Sequence, residues 1–241
     1  MFGIVDSGIE IVRSGLIYYI DAARRVSYPG TGASWQDLST SPASGTIYNT
    51  NTYNSGNGGY ILFDSLTGKN NYLRTDTDNS KFNIKSGTTI LGLTVCAWVY
   101  FPIRDFTFQT IFEGIDTTGL SDYTVRGNGT RIQFINFSGN NNLSVEANIP
   151  DATWCHLALT VPSATQNTTV TITTYKNGVA QATGTTGLNA STTTVKGQVG
   201  RTGNSGTYAY QRMSSLAVYN RQLSATEVLQ NFNADRIRFG L

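Results

Sequence analysis

From Gln109 to Val161 the chain repeats one kind of unit. A short run of β-branched and aromatic residues is followed by a glycine-, asparagine- or proline-bearing break of four to nine residues. The runs fall near residues 109–113, 123–126, 131–137, 143–147 and 153–161. Breaks this short leave no room for the crossover helices that parallel strands need, so neighbouring runs read as an antiparallel meander. Residues 169–175 (TVTITTY) then enter Asn177-Gly178 and leave through Val179. Asn-Gly suits a type I′ turn, which needs positive φ at both central residues, and this pair predicts a hairpin.

The remaining segments extend the pattern. Strands are expected at 15–21, 46–48, 60–64, from Tyr72, and at 93–101, 195–201 and 213–219. About a dozen strands with a single helical segment predict an all-β, two-sheet antiparallel sandwich. The helix begins after Tyr219. Ser224 and Glu227 form a capping box, and Leu223 and Val228 form a hydrophobic staple. Ala225, Val228, Leu229 and Phe232 make its apolar face, expected to seal an edge or one end of the sandwich.

Composition excludes several functions. Charged residues are 13% of the chain and the net charge is +2, with no basic stripe, so nucleic acid is not an expected partner. The most apolar run, 90–103, is broken by Gly92 and Thr94 and is too short to span a bilayer. The N-terminus, MFGIVDSGIEIVRSG, lacks a basic segment followed by an apolar run, so no secretory signal is expected. Cys96 and Cys155 read as reduced core thiols, with a disulfide open if their strands are neighbours. The five Asn-x-Ser/Thr sequons, at Asn128, Asn136, Asn142, Asn167 and Asn189, are read as products of an Asn- and Thr-rich composition.

Several segments together resemble the laminin-G-like branch of the concanavalin A-like lectin/glucanase superfamily. The opening GLIYYIDAARRVSYPGTGASWQDLS is similar to that branch's first strand, Tyr-Pro-Gly turn and Trp-x-Asp-Leu-Ser segment. GGYILFD, LTVCAWVY, TWCHLALTV and YKNGVA resemble its middle strands. VGR and SLAVYNRQLSATEVLQNF resemble its close. The resemblance spans most of residues 15–236 and implies a jelly-roll sandwich over 15–241, preceded by residues 1–14 as an arm or edge strand. Trp35 and Asp37 then read as fold-specifying, and Trp98 and Trp154 as core. In this form the opening is similar to structural proteins of tailed phages, cyanophages especially. It therefore implies a non-enzymatic virion component, a capsid decoration or an appendage. The expected partners are other capsid or tail proteins, in an oligomeric assembly.

The superfamily also contains glycoside hydrolases, which need two carboxylates about 5–9.5 Å apart. Glutamate occurs only at 10, 113, 146 and 227, with no Glu-x-Asp or Glu-x-Glu pair. Glu227 belongs to the helix cap, and Glu113, beside Gly114, reads as a solvated carboxylate. His156 shares a strand face with Trp154 and Ala158 while Cys155 faces the other way, so no Cys–His dyad forms. His156 reads as a hydrogen-bonded structural residue, and no catalytic residue is expected. Calcium stays open, because DTDNS at 76–80 and SGNNN at 138–142 supply oxygen ligands.

Carbohydrate binding needs aromatic faces and amide groups. The loop TGNSGTYAYQ offers Tyr208 and Tyr210 with Asn204 and Gln211, the best candidate for a host-surface glycan. Ile4, Val5, Ile9, Ile11 and Val12 are the candidate partner-docking residues of the arm.

Overall fold

The computed structural model describes residues 8–50, 52–76, 80–103, 108–136, 141–189, 194–203 and 206–241. Two eight-stranded antiparallel sheets face one another. The first runs Val179–Gly187, Thr169–Lys176, Trp154–Val161, Leu93–Tyr100, Tyr210–Tyr219, Tyr60–Asp64 and Tyr53–Asn54. Leu16–Asp21 joins it by pairing with the second half of Tyr210–Tyr219, whose first half pairs with Tyr60–Asp64. The second runs Asn141–Glu146, Arg131–Asn136, Ser121–Asn128, Gln109–Asp116, Thr194–Val199, Tyr72–Thr75, Gly45–Tyr48 and Ser34–Trp35.

Alternation along each strand sorts the side chains. Val95, Val99, Leu157, Leu159, Leu216 and Val218 of the first sheet meet Ile47, Leu73, Phe112, Val125, Ile132 and Phe134 of the second in one buried core. The Asn177-Gly178 turn takes the expected form, with φ of 51° and 78°. Asn177 also prolongs the ladder: its Oδ1 accepts the His156 N–H at 2.9 Å, and its own N–H donates to the His156 carbonyl at 2.8 Å.

The helix, Ala225–Asp235, has the full capping box. It does not seal an edge or an end. It lies flat on the outer face of the first sheet, over a second buried cluster containing Cys96, Ala158, Ala217, Tyr219, Leu223, Val228 and Ala234. These sheet residues alternate with the inner core, and a helix is what removes them from water. The helix's buried face is Val228, Asn231, Phe232, Ala234 and Asp235, whereas Leu229 is 41% exposed and rests over Gly178. The face is rotated from the apolar stripe because its two polar members find partners. Asn231 accepts the Val12 N–H at 2.9 Å and donates to the Tyr219 hydroxyl at 3.0 Å, and Asp235 accepts from Arg238 at 3.0 Å. Burying a polar group costs little once its hydrogen bonds are made.

The opening segment is a set of clamps. Buried Asp37 accepts from the Tyr19, Ser39 and Ala43 N–H groups and from Lys81 Nζ at 2.6 Å. Trp35 is fully buried against Tyr28. Trp98 is buried too, but under the helix, stacked on Phe239 at 3.9 Å. Trp154 is only half-buried, so it is not core; its position faces outward beyond the helix. Cys96 and Cys155 lie on adjacent strands, yet Cys96 faces the helix and Cys155 the inner core, so they remain free thiols. Burial pushes both up to about 12, which keeps them protonated and inert.

Candidate functional site

The most developed surface feature is built around Tyr208. Arg201–Thr202 and Thr207–Tyr208 pair as a small hairpin, Arg201 opposite Tyr208. Its base is held by Glu113, on the neighbouring strand of the second sheet. Glu113 Oε2 accepts the Gly203 N–H at 2.6 Å and Gln198 Nε2 at 3.0 Å. Its Oε1 accepts from the Ser121 and Thr124 hydroxyls at 2.5 and 2.7 Å. Glu113 is therefore no solvated carboxylate: it is completely buried, and desolvation raises its pKa despite four donors. The Thr110 and Thr202 hydroxyls add a bond at 2.8 Å.

The hairpin brings Tyr208 to the outer face of the second sheet. There Tyr48 and Tyr72 are cross-strand partners, with rings stacked at 4.9 Å and 8°. Both alternate with the buried Ile47 and Leu73, so they face away from the core. Tyr208 packs on Tyr72 at 6.1 Å. The Arg201 guanidinium lies 4.9 Å from the Tyr72 ring centre and 5.4 Å from that of Tyr208. Arg74, bound to Gln198 at 2.6 and 2.8 Å, lies 5.5 Å from the Tyr72 ring centre. Beside Tyr208 opens a polar cleft lined by Asn49, Thr50, Thr67, Gly68, Lys69 and Asn70. Ring faces beside amides, hydroxyls and a cation offer what a sugar presents in reverse: C–H surface and hydroxyls.

The predicted residues part company here. Tyr208 is in the cluster. Tyr210 starts the long strand of the other sheet, opposite Asp64, with its N–H on Gln109 Oε1 at 2.9 Å. Gln211 is fully buried between the sheets and donates to the Thr110 carbonyl at 2.7 Å, so it cannot reach a surface ligand. Asn204 lies outside the described residues, as do Ile4 and Val5. Ile9 is 42% exposed, while Ile11 and Val12 are buried against the helix, with the Tyr219 hydroxyl on the Val12 carbonyl at 3.0 Å. In this arrangement Ile11 and Val12 are occupied by the chain's own helix. Tyr48, Tyr72, Arg201 and the cleft residues escaped the sequence reading. Outward aromatics on two strands become a pair only once their register is known.

The catalytic alternatives find little support in the geometry. Glu146 is taken by Thr130 and by the Ala147 and Asn148 N–H groups. Glu227 is taken by Arg221 and Ser224, and Glu10 by Arg13. His156 is 2% exposed, and burial pushes it down to about 3, which keeps the imidazole uncharged at neutral pH. It packs on Trp98 and Phe232, and among the described residues its Nδ1 finds no hydrogen-bond partner, unlike the satisfied histidine expected. Among the described residues no three His, Cys, Asp or Glu side chains converge as a metal site. Residues 77–79 and 138–140 of the two candidate calcium segments lie outside the described residues.

A laminin-G family model, described as concanavalin A-like lectin/glucanases superfamily, matches residues 66–229, more than half of the chain. No curated protein is significantly similar in sequence. Among solved structures, the "Botulinum Neurotoxin Type G Receptor Binding Domain" superposes with a TM-score of 0.62 at 15% identity, over 90% of this chain and 51% of that one. The "Binding domain of Botulinum Neurotoxin DC in complex with SialylT" gives 0.66 at 11%, over 93% and 52%. A botulinum neurotoxin type C structure, whose entry into cells is described as dependent on two ganglioside molecules, gives 0.65 at 11%, over 92% and 52%. The chain thus spans about half the length of these structures, and at such identity the likeness is one of fold.

Proposed function

Since the chain belongs to the concanavalin A-like lectin/glucanase superfamily, we propose that it is a non-enzymatic glycan-binding module. Its binding surface is the Tyr208–Tyr72–Tyr48 cluster and the adjoining cleft. The observation that carries this is the stacked Tyr48–Tyr72 pair extended by Tyr208 beside an amide-lined cleft. A buried glutamate fixes the hairpin that supplies Tyr208, so the surface is pre-organised. The structural relatives associated with gangliosides and a sialylated ligand support a binding role over a hydrolytic one. The test is a broad glycan array run with calcium and again with EDTA. Saturable binding that Tyr208→Ala abolishes is the expected result, and loss in EDTA would add a calcium site. Binding unchanged by Tyr208→Ala would move the site elsewhere.

The opening segment favours a setting for this activity. GLIYYIDAARRVSYPGTGASWQDLS lies before the matched residues and is similar to structural proteins of tailed phages. The module would then sit in a virion, on capsid or tail, in several copies, presenting the Tyr208 surface to the host. Quantitative mass spectrometry of purified particles tests this: many copies indicate decoration, few an appendage, and none removes the virion setting.

A further inference from the structure

We propose a second ligand site, on the opposite face of the sandwich, that takes a carboxylate-bearing sugar. Trp154, Tyr100 and Arg212 form one cross-strand row over three adjacent strands of the first sheet, Tyr100 opposite both its neighbours. They alternate with Cys155, Val99 and Met213 of the inner core, so the row faces outward, away from the Tyr208 surface. Trp154 is the hub: Tyr60 meets it edge-on at 5.5 Å, Tyr100 at 5.7 Å and Phe239 at 5.0 Å. All five side chains are half-buried, and the helix stops short of covering them.

Arg212 sets the ligand class. Its guanidinium lies 4.3 Å from the Tyr100 ring centre and 5.4 Å from that of Tyr60. Among the described residues it makes no ion pair and no side-chain hydrogen bond. Arg238, on the same face, is by contrast consumed by Asp21 and Asp235. Two rings thus hold a planar fork of N–H donors in place with no acceptor among the described residues, which reduces the rotamer entropy a ligand must cost it. Such a fork matches a carboxylate in bidentate fashion. The neighbouring indole and phenol groups supply ring surface and further donors for sugar hydroxyls. An acidic sugar satisfies both halves; a neutral one leaves Arg212 unanswered. The site does not depend on the Tyr208 surface.

The probes are trigalacturonate and its fully methyl-esterified form, titrated against the whole chain and read by isothermal calorimetry. Saturable binding of the acid, about tenfold weaker for the ester and for Arg212→Ala, is expected. Arg212→Lys, which keeps charge but loses the fork, should retain more binding than Arg212→Ala, and Tyr208→Ala should leave this binding intact. Equal binding of acid and ester, undiminished binding by Arg212→Ala, or no saturable binding of the acid would overturn the proposal. Should Arg212→Ala unfold, Arg212→Lys and the acid–ester comparison still decide it.

Discussion

Arg238 closes the chain on Asp21, 217 positions away. Its Nη1 and Nη2 donate to the two carboxylate oxygens at 3.0 and 3.1 Å, with side chains 4% and 0% exposed. The same guanidinium reaches Asp235 at 3.0 Å and Ser214 at 2.7 Å. One residue thus ties the end of the first strand, the helix and the longest strand together.

Removing that cation leaves two buried carboxylates that Arg24, 3.4 Å from Asp21 and partly exposed, compensates only in part. Burial already raises Asp235, with Asp21 adding to it and Arg238 opposing. Arg238→Ala should therefore cost about 3 kcal/mol or more, read as a lower urea midpoint. A loss below about 1 kcal/mol, the usual worth of an exposed pair, would mean that the pair is solvated.

The helix start is a smaller, separable contribution. The Ser224 hydroxyl accepts from Glu227 N–H at 3.3 Å, and Glu227 returns the bond to Ser224 N–H at 2.9 Å. Ser224→Ala should cost about 1 kcal/mol. Arg221 holds Glu227 down to about 2, below its ordinary 4.5. Because the folded value is depressed, this stability is present above pH 4.5 and lost as pH falls toward 2. Glu227→Gln should be less stable than the parent at neutral pH and converge with it in acid.

His156 predicts a second acid-sensitive window at higher pH. Its folded value is pushed down to about 3 from 6.5. The unfolded chain therefore binds the extra proton first, and stability falls by about 1.4 kcal/mol per pH unit below 6.5. Between pH 6.5 and 5, above most carboxylates, the parent's unfolding midpoint should decline while that of His156→Gln stays nearly flat. Parallel slopes would show that the imidazole charges in place.

Tyr208 and Gln211 should separate binding from folding. Tyr208→Ala removes a half-exposed ring and should abolish glycan binding with little change in melting temperature. Gln211→Ala strips a buried donor from the Thr110 carbonyl and should cost about 1–3 kcal/mol while leaving binding by the folded fraction intact. The opposite pattern would relocate the site.

Much of this protein was legible in its residues because the signals are local. The Asn177-Gly178 turn needs only its own positive φ values, and the capping box only Ser224 and Glu227. Strand alternation placed Cys155 and His156 on opposite faces. The aromatic surfaces were not legible in this way. Tyr48, Tyr72 and Tyr208 are far apart in the chain, and each is an ordinary outward tyrosine until pairing sets them together.

The sequence by itself determined the class of fold, the turns, the helix and its cap, since these follow from backbone preferences and the two-residue period of a strand. Tertiary structure alone decided where the helix lies, which of its faces is buried, and which residues share a surface. Asn231 and Asp235 face inward only because Val12, Tyr219 and Arg238 are there to receive them. Glu113 is buried only because a distant hairpin brings Gly203 to it. Whether a polar side chain is buried depends on partners that the chain brings from elsewhere, and local pattern carries no record of them.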